Sequence, residues 1–342
     1  FGKKENPTLE QYICDASIEA LATVAATAAA VDKAYVGNFV GELFSNQGHL
    51  GAMLAAADPD LAGKPIMRVE GACASGGLAL ACGVDAIRSG AEVVLVVGAE
   101  VQTTQNAKVG ADYLARAAHY ARQRSIDEFT FPAIFARRAK ALVEQTDATL
   151  EDFARAAVKA YGNANKNPLA HMHAVTIDLD HANTASDKNP AFLQHEELRP
   201  FLRVTDCSQV SDGASALVLC SEEGLARLGR PAGECVEVLA SQVATASLAA
   251  DPVPVRLDNT AEAARRAYEE AGLTAADMQV AEVHDCFTCN EILMAEALGF
   301  AEAGKGAELL REGKSNIDGS IPINTGGGLC GFGHPVGATG VK

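Results

Sequence analysis

Apolar positions along this chain alternate between two spacings. Over residues 9–30 an Ala-rich stretch repeats at helical spacing, residues 31–39 turn into a strand, and residues 42–57 predict a further helix stopped at Asp58-Pro59-Asp60. Ile66 to Val69 reads as the end of a strand. From Ser75 the positions Leu78, Ala81, Val84 and Ile87 recur at helical spacing as far as Arg88, with Gly90 as the stop. Residues 92–97 (EVVLVV) are a short, wholly apolar run, as expected of a strand covered on both faces. Strand, turn, helix and strand make a βαβ unit.

Residues 102–204 have a different texture, richer in Tyr, His, Arg, Asn and Pro, with helices predicted near 132–145 and 149–161. An insertion of this kind on a regular α/β frame is where binding surfaces usually lie. Regular patterning resumes at 206–219, a turn feeding a buried strand. Residues 259–271 then predict a helix ending at Gly272, residues 279–283 a strand, and residues 288–298 a helix. The order helix, turn, strand echoes the start of the chain, which hints at a duplicated architecture.

Composition narrows the function classes. The chain has 342 residues, 48% hydrophobic and 21% charged, with no Trp, which suits a compact α/β enzyme. A net charge of −16 argues against nucleic-acid binding, whose footprint is a basic face. No apolar run reaches the length of a membrane span. Nine cysteines, an odd number scattered through a long chain, point to reduced thiols and a cytoplasmic setting. No secretory leader is visible at Phe1-Gly2-Lys3.

Three constellations carry candidate chemistry. Cys73 sits among Gly, Ala and Ser at the start of the helix that begins at Ser75. A helix N-terminus there is expected to lower the thiol pKa, and its free N–H groups can hold an oxyanion. A buried cysteine that merely packs is the bland alternative. His284 and Cys286 lie two apart at a strand end, so both face one side. Cys286 and Cys289 also spell C-x-x-C, which raises zinc and dithiol redox readings, but a zinc site needs about four ligands and no second pair exists, and Cys289, one turn into the next helix, reads as structural rather than as half of a redox pair. Residues 324–340 hold seven glycines in seventeen positions, matching neither the phosphate-cradling nor the dinucleotide fingerprint. Within them His334, between Gly333 and Pro335, reads as a rigid, exposed presentation of a catalytic group, against the plainer reading of a loop hydrogen bond.

Together, CASGG at Cys73, HDCF at 284–287 and GHPVGATG around His334 resemble the thiolase superfamily, and the HDCF form resembles its sterol-carrier-protein type. Residues 161–172 and 206–219 are similar to this subgroup as well. The resemblance implies an α/β thiolase fold of two duplicated mixed-sheet halves in layers with an inserted loop domain. It places residues 1–105 with 205–231 in the N-terminal half, 106–204 in the substrate-binding loop domain, and 232–342 in the C-terminal half. It also implies an opening strand before Phe1 and, beyond Lys342, a Cys-x-Gly loop near the site that supplies the second oxyanion donor.

The implied activity is that of an acetyl-CoA C-acyltransferase, which makes or cleaves a 3-ketoacyl-CoA. Cys73 is the expected nucleophile and His334 its activator and an oxyanion donor. Cys286 is the expected acid/base and His284 a second oxyanion donor, with Gly333, Gly337 and Asn324 lining the substrate. No metal and no redox cofactor is expected, coenzyme A thioesters being substrates. Arg122, Arg124, Arg137, Arg138 and Lys140 are candidates to offset the coenzyme A phosphates. The expected assembly is a homodimer or homotetramer. The alternative is a specialised relative acting on bulky or aromatic acyl-CoA with a small zinc-binding OB-fold partner. A non-catalytic acyl-CoA or lipid scaffold is a third reading, against which the joint presence of Cys73, His284, Cys286 and His334 argues.

Overall fold

Alternation along one central strand sorts the interior of the sheet unit into two layers. The structure, a computed structural model, describes residues 1–3, 5, 8–250 and 253–342. The expected N- and C-terminal halves also run across residues 4, 6, 7, 251 and 252, which lie outside the described residues. The chain divides into two compact units. One comprises Lys3–Asn106, Ser211–Val243 and Pro335–Lys342, the other Phe1–Gly2, Ala107–Val210 and Ala244–His334.

The first unit holds four strands, β1 (Lys33–Gly37), β2 (Ile66–Val69), β3 (Val93–Glu100) and β4 (Gly213–Cys220), ordered β2-β1-β3-β4. β1 runs parallel to β2 and β3, whereas β4 is antiparallel to β3. Val93, Leu95, Val97 and Ala99 of β3 pack with Leu9 and Ile13 of the helix Leu9–Thr23. Val94 and Val96 point the other way, onto Ala79 and Ala86 of the helix Ser75–Arg88. Each such side chain contributes about 1.5–3 kcal/mol by leaving water, which is why β3 is apolar at every position from Val93 to Val97.

Two predicted helices are shorter than their patterns. The first stops at Thr23 because Ala25 turns into the left-handed region (φ 53°), where the Ala26 N–H closes on the Leu21 carbonyl. The stretch 42–57 breaks into Gly41–Phe44 and Leu50–Leu54, separated by the left-handed residues Asn46 and His49. β2 and the helix Ser75–Arg88 have the bounds their patterns predict.

The second unit is helical. Its core joins Leu142, Phe153, Ile292, Leu293 and Leu329, drawn from the helices Thr130–Gln145, Leu150–Ala164, Thr288–Ala297 and Gly328–Phe332. The strand expected at 279–283 is one isolated bridge, Ala281 with Ile323. The helix Asp258–Ala271 ends on the left-handed Gly272 (φ 67°). Lys159 and Glu291 form a buried ion pair at 2.5 Å, and the same ammonium binds the carbonyls of Ser315 and Ile323. Among the described residues no helix is long and apolar enough to cross a membrane.

Candidate functional site

In the helical unit, the HDCF segment is held by side chains and loops rather than by a sheet. The Asn324 side-chain oxygen accepts the Val283 N–H at 2.8 Å, while the Asn324 backbone N–H donates to the Ala281 carbonyl at 2.9 Å. Asn324 is fully buried and adopts φ 57°, a conformation Asn tolerates better than most residues. The Asn290 side-chain amide donates to the His284 carbonyl at 2.5 Å, and the Asp285 carboxylate accepts the Leu329 N–H at 2.5 Å. Ser208 N–H binds the Cys286 carbonyl at 2.8 Å, and one residue further on the Gln209 carbonyl accepts the His334 N–H at 3.2 Å. The 207–209 segment therefore ties together the two motifs that carry His284 and His334. Phe287 stacks on Phe135 with centroids 4.4 Å apart, which locks the residue after Cys286.

These restraints bring the rings of His284 and His334 edge to face, with centroids 5.1 Å apart. Burial pushes the His284 imidazole down to about 4, so it stays neutral with one N–H to donate. Cys286 is buried in the hydrophobic core beside Cys289, whose thiol burial pushes up to about 12. The structure revises the exposed presentation expected for His334, which is 7% accessible. Its glycine-rich surroundings are regular enough to form the short helix Gly328–Phe332, and Gly333 follows with φ 107°, which only glycine adopts without strain. Cys330 within that helix is buried, its thiol on the Asp285 carbonyl at 3.1 Å.

Cys73 belongs to the sheet unit. It lies in the single turn Ala72–Ala74 that leads into the helix Ser75–Arg88. Ala72 is left-handed (φ 52°), a strained state for alanine of the kind that clusters at functional sites. The turn is fastened by Ser75, whose hydroxyl donates to the Ala72 carbonyl at 2.6 Å and accepts the Gly71 N–H at 3.0 Å. The expected lowering of the thiol pKa is overturned. Burial, assisted by the Glu100 carboxylate, pushes Cys73 up to about 12. Desolvation of a thiolate outweighs what a helix N-terminus offers. Gly337 lies against the same helix start, where a Cβ at Gly76 would stand 2.7 Å from the Gly337 carbonyl oxygen. Only glycines permit that approach.

Of the five cations expected to meet coenzyme A, four are engaged within the protein, Lys140 through Glu144 at 3.9 Å and Glu197 at 3.8 Å. Arg124 is bound to Asp112 at 2.6 Å, Arg138 donates to the Pro254 carbonyl at 2.8 Å, and Arg122 donates to the Ala249 carbonyl at 3.1 Å. Arg137 and Lys140 line an open groove of about 350 Å³ together with His195, Glu144 and Glu197. Sequence reasoning assigned no role to Ser208, Gln209, Asp285 or Asn290. Asp285 and Asn290 fall inside or just after the HDCF motif, and Ser208 and Gln209 inside the 206–219 stretch, which was the available signal.

Residues 5–223 match the family described as "Thiolase, N-terminal domain", and residues 240–342 match "Thiolase C-terminal domain-like". The chain is 35% identical over 345 residues to an acetyl-CoA acetyltransferase of Methanothermobacter thermautotrophicus, spanning 100% of this chain and 85% of that protein. It is 31% identical over 319 residues to the benzoylsuccinyl-CoA thiolase subunit BbsB of Thauera aromatica, covering 91% of this chain and 75% of that one. Among solved structures it superposes on a chain of the Ltp2-ChsH2(DUF35) aldolase with a TM-score of 0.77 at 22% identity, over 99% of this chain and 85% of the other.

Proposed function

The chain belongs to the thiolase family and is an acyltransferase of coenzyme A thioesters, and on that footing we propose that it makes or cleaves a 3-ketoacyl-CoA by Claisen chemistry through an acyl-Cys73 intermediate. The observation that carries the reading is the pairing of a neutral His284 with His334 in the motif order that the family uses. In this reading His334 takes the Cys73 proton, and the sulfur attacks the acyl carbonyl. The tetrahedral intermediate collapses as the C–S bond to coenzyme A breaks, and coenzyme A leaves as its thiol. In synthesis a second acyl-CoA then loses an α-proton to Cys286 as its thiolate, and the enolate carbon attacks the acyl-Cys73 carbonyl, breaking the acyl–sulfur bond and releasing the Cys73 thiolate. In thiolysis the departing carbanion is reprotonated by the same thiol. His284, kept neutral by burial, and His334 donate to the enolate oxygen as its charge develops.

The high resting pKa of Cys73 suits this scheme, because the thiolate then exists only while a proton acceptor is in place. Gly333 and Gly337 leave backbone close to the acyl group, while Asn324 acts on the site by bracing Val283. The groove at Arg137 and Lys140 is the proposed seat of coenzyme A phosphates. A homodimer or homotetramer working in fatty-acid metabolism completes the proposal on family resemblance, and its cytoplasmic setting follows from the nine scattered cysteines. Incubating the protein with acyl-CoAs of graded size and identifying products by mass spectrometry tests the activity. The expected product is a 3-ketoacyl-CoA, or its thiolytic fragments when free coenzyme A is supplied. Absence of both across the series contradicts it.

A second reading is a specialised enzyme for bulky or aromatic acyl-CoA that works with a small zinc-binding OB-fold partner. It is favoured by the relative described as a subunit of benzoylsuccinyl-CoA thiolase and by the fold neighbour described together with a DUF35 protein. Activity that appears only when a co-purifying small protein is added back supports this reading over the first.

A further inference from the structure

No step of the proposed chemistry uses the stretch 161–172 (YGNANKNPLAHM), yet it grips the glycine-rich segment that presents His334. Five of the eight residues 326–333 are glycine. Packing against the helix Leu150–Ala164 accounts for two of them. A Cβ at Gly331 would stand 2.4 Å from the Ala160 carbonyl oxygen, and one at Gly327 would stand 3.0 Å from the Ala164 Cβ. The short helix Gly328–Phe332 therefore lies close against the last turn of the longer one. Glycine permits that approach but loses more conformational freedom on folding than any other residue. The segment has to be fixed from outside.

Three asparagines at alternate positions supply the donors. The Asn163 side-chain amide donates to the Asn324 carbonyl at 3.0 Å, and that of Asn167 to the Gly326 carbonyl at 3.2 Å. Asn165, between them in sequence, donates to the carbonyls of His173 and Val175, each at 2.9 Å. Those bonds fold residues 173–175 back onto the helix end. Just before them the His171 N–H meets the Phe332 carbonyl at 2.9 Å, and the Met172 N–H meets the Gly331 carbonyl at 3.1 Å. A helix leaves its last carbonyls without internal partners, so these two amides close the end of Gly328–Phe332. His334 stands two residues beyond. The glycine-rich segment is thus held before and after its short helix by one stretch of chain.

We propose that Asn163, Asn165 and Asn167 are positioning residues of acyl transfer, a clamp that sets where the His334 imidazole stands. The inference rests on His334 being the group that takes the Cys73 proton. Water can satisfy a half-exposed carbonyl such as that of Gly326. What asparagine adds is a covalent tether to the helix Leu150–Ala164, a rigid element from which a reacting group can be held in place. A displacement of about 1 Å at a reacting group costs about 10²-fold in rate. The clamp therefore acts on turnover rather than on substrate affinity.

Asn167→Asp keeps the oxygen that accepts the Leu169 N–H at 3.0 Å and replaces the amide that donates to Gly326 with a second oxygen. Asn167 is half-exposed, so the fold tolerates the change. In the full-length protein turnover should fall about tenfold or more, while KM for acyl-CoA moves by less than about twofold. Asn163→Ala should do the same. In protein carrying isotope-labelled histidine, the His334 ring resonances, assigned by their loss in His334→Gln, should shift in both variants. A structural role alone would lower the denaturant midpoint and leave the turnover and the His334 resonances of the folded variants at wild-type values, and that result overturns the proposal. If neither variant folds, hydrogen exchange of the wild type decides. The His171 and Met172 amides lie outside any helix or strand, yet they should exchange as slowly as those of the helix Leu150–Ala164. Exchange at the rate of an open loop overturns the proposal. The resonances and exchange rates read the clamp itself, so they stand apart from whether His334 serves Cys73, which turnover of His334→Ala decides.

Discussion

The imidazole rings of His284 and His334 meet edge to face, with centroids 5.1 Å apart and planes at 81°. One comes from a motif that Asn324 and Asn290 brace, the other from a glycine-rich loop whose amide binds Gln209. Two histidines this close are compatible with ordinary pH only if at least one stays neutral. Burial does this for His284.

That burial makes stability depend on pH. The folded His284 takes up its proton only near pH 4, and an unfolded histidine does so near 6.5. Between these values the unfolded state alone gains the proton, so stability falls as pH drops from about 6.5 towards 4. The loss reaches about 2 kcal/mol at pH 5. Urea midpoints of wild type and His284→Gln at pH 7.5 and pH 5 check this, and the variant should show the smaller acid loss.

Cys286→Ser separates the two halves of the reaction. Acyl transfer to Cys73 moves no substrate α-proton, so the variant should still form the acyl-enzyme. Exchange of acetyl α-protons with deuterated water should drop by about 10²–10⁴, the usual worth of a general acid/base group. NMR of acetyl-CoA in deuterated water measures it. Wild-type exchange in the variant would remove Cys286 from the acid/base role.

Asn324→Ala removes the acceptor of the buried Val283 N–H and puts alanine at φ 57°. The unsatisfied amide alone costs about 1–3 kcal/mol. Asn324→Gly relieves the backbone but not the hydrogen bond, and should recover only part of the stability. Denaturant midpoints for the pair, with turnover alongside, distinguish a brace from a substrate contact. A brace lowers stability in both variants, while a contact raises KM with stability intact.

Local periodicity made β2 and the helix Ser75–Arg88 legible to the residue, because an apolar stripe and a glycine stop mark them. The helix ending at Thr23 was not, since the reversing residue is Ala25 and nothing in its side chain announces φ 53°. The members of the candidate site were legible as motifs, but their environments were not. Cys73 looked like an acidic thiol on local grounds, and burial beside Glu100, twenty-seven positions away in sequence, reverses that. His334 looked exposed between Gly333 and Pro335, yet chain distant in sequence covers it. The 207–209 segment binds through its main chain, which any residue could supply, so no residue type betrayed it.

The central claim is that the acyl group passes through Cys73. Brief incubation with acetyl-CoA, acid quench and peptide mass mapping measure this directly. The predicted result is an acetyl adduct of about 42 Da on the peptide bearing Cys73, as thioester exchange with an activated thiolate requires, and its loss in Cys73→Ala together with turnover. An adduct confined to Cys286 or Cys289, or full turnover by Cys73→Ala, would contradict the account.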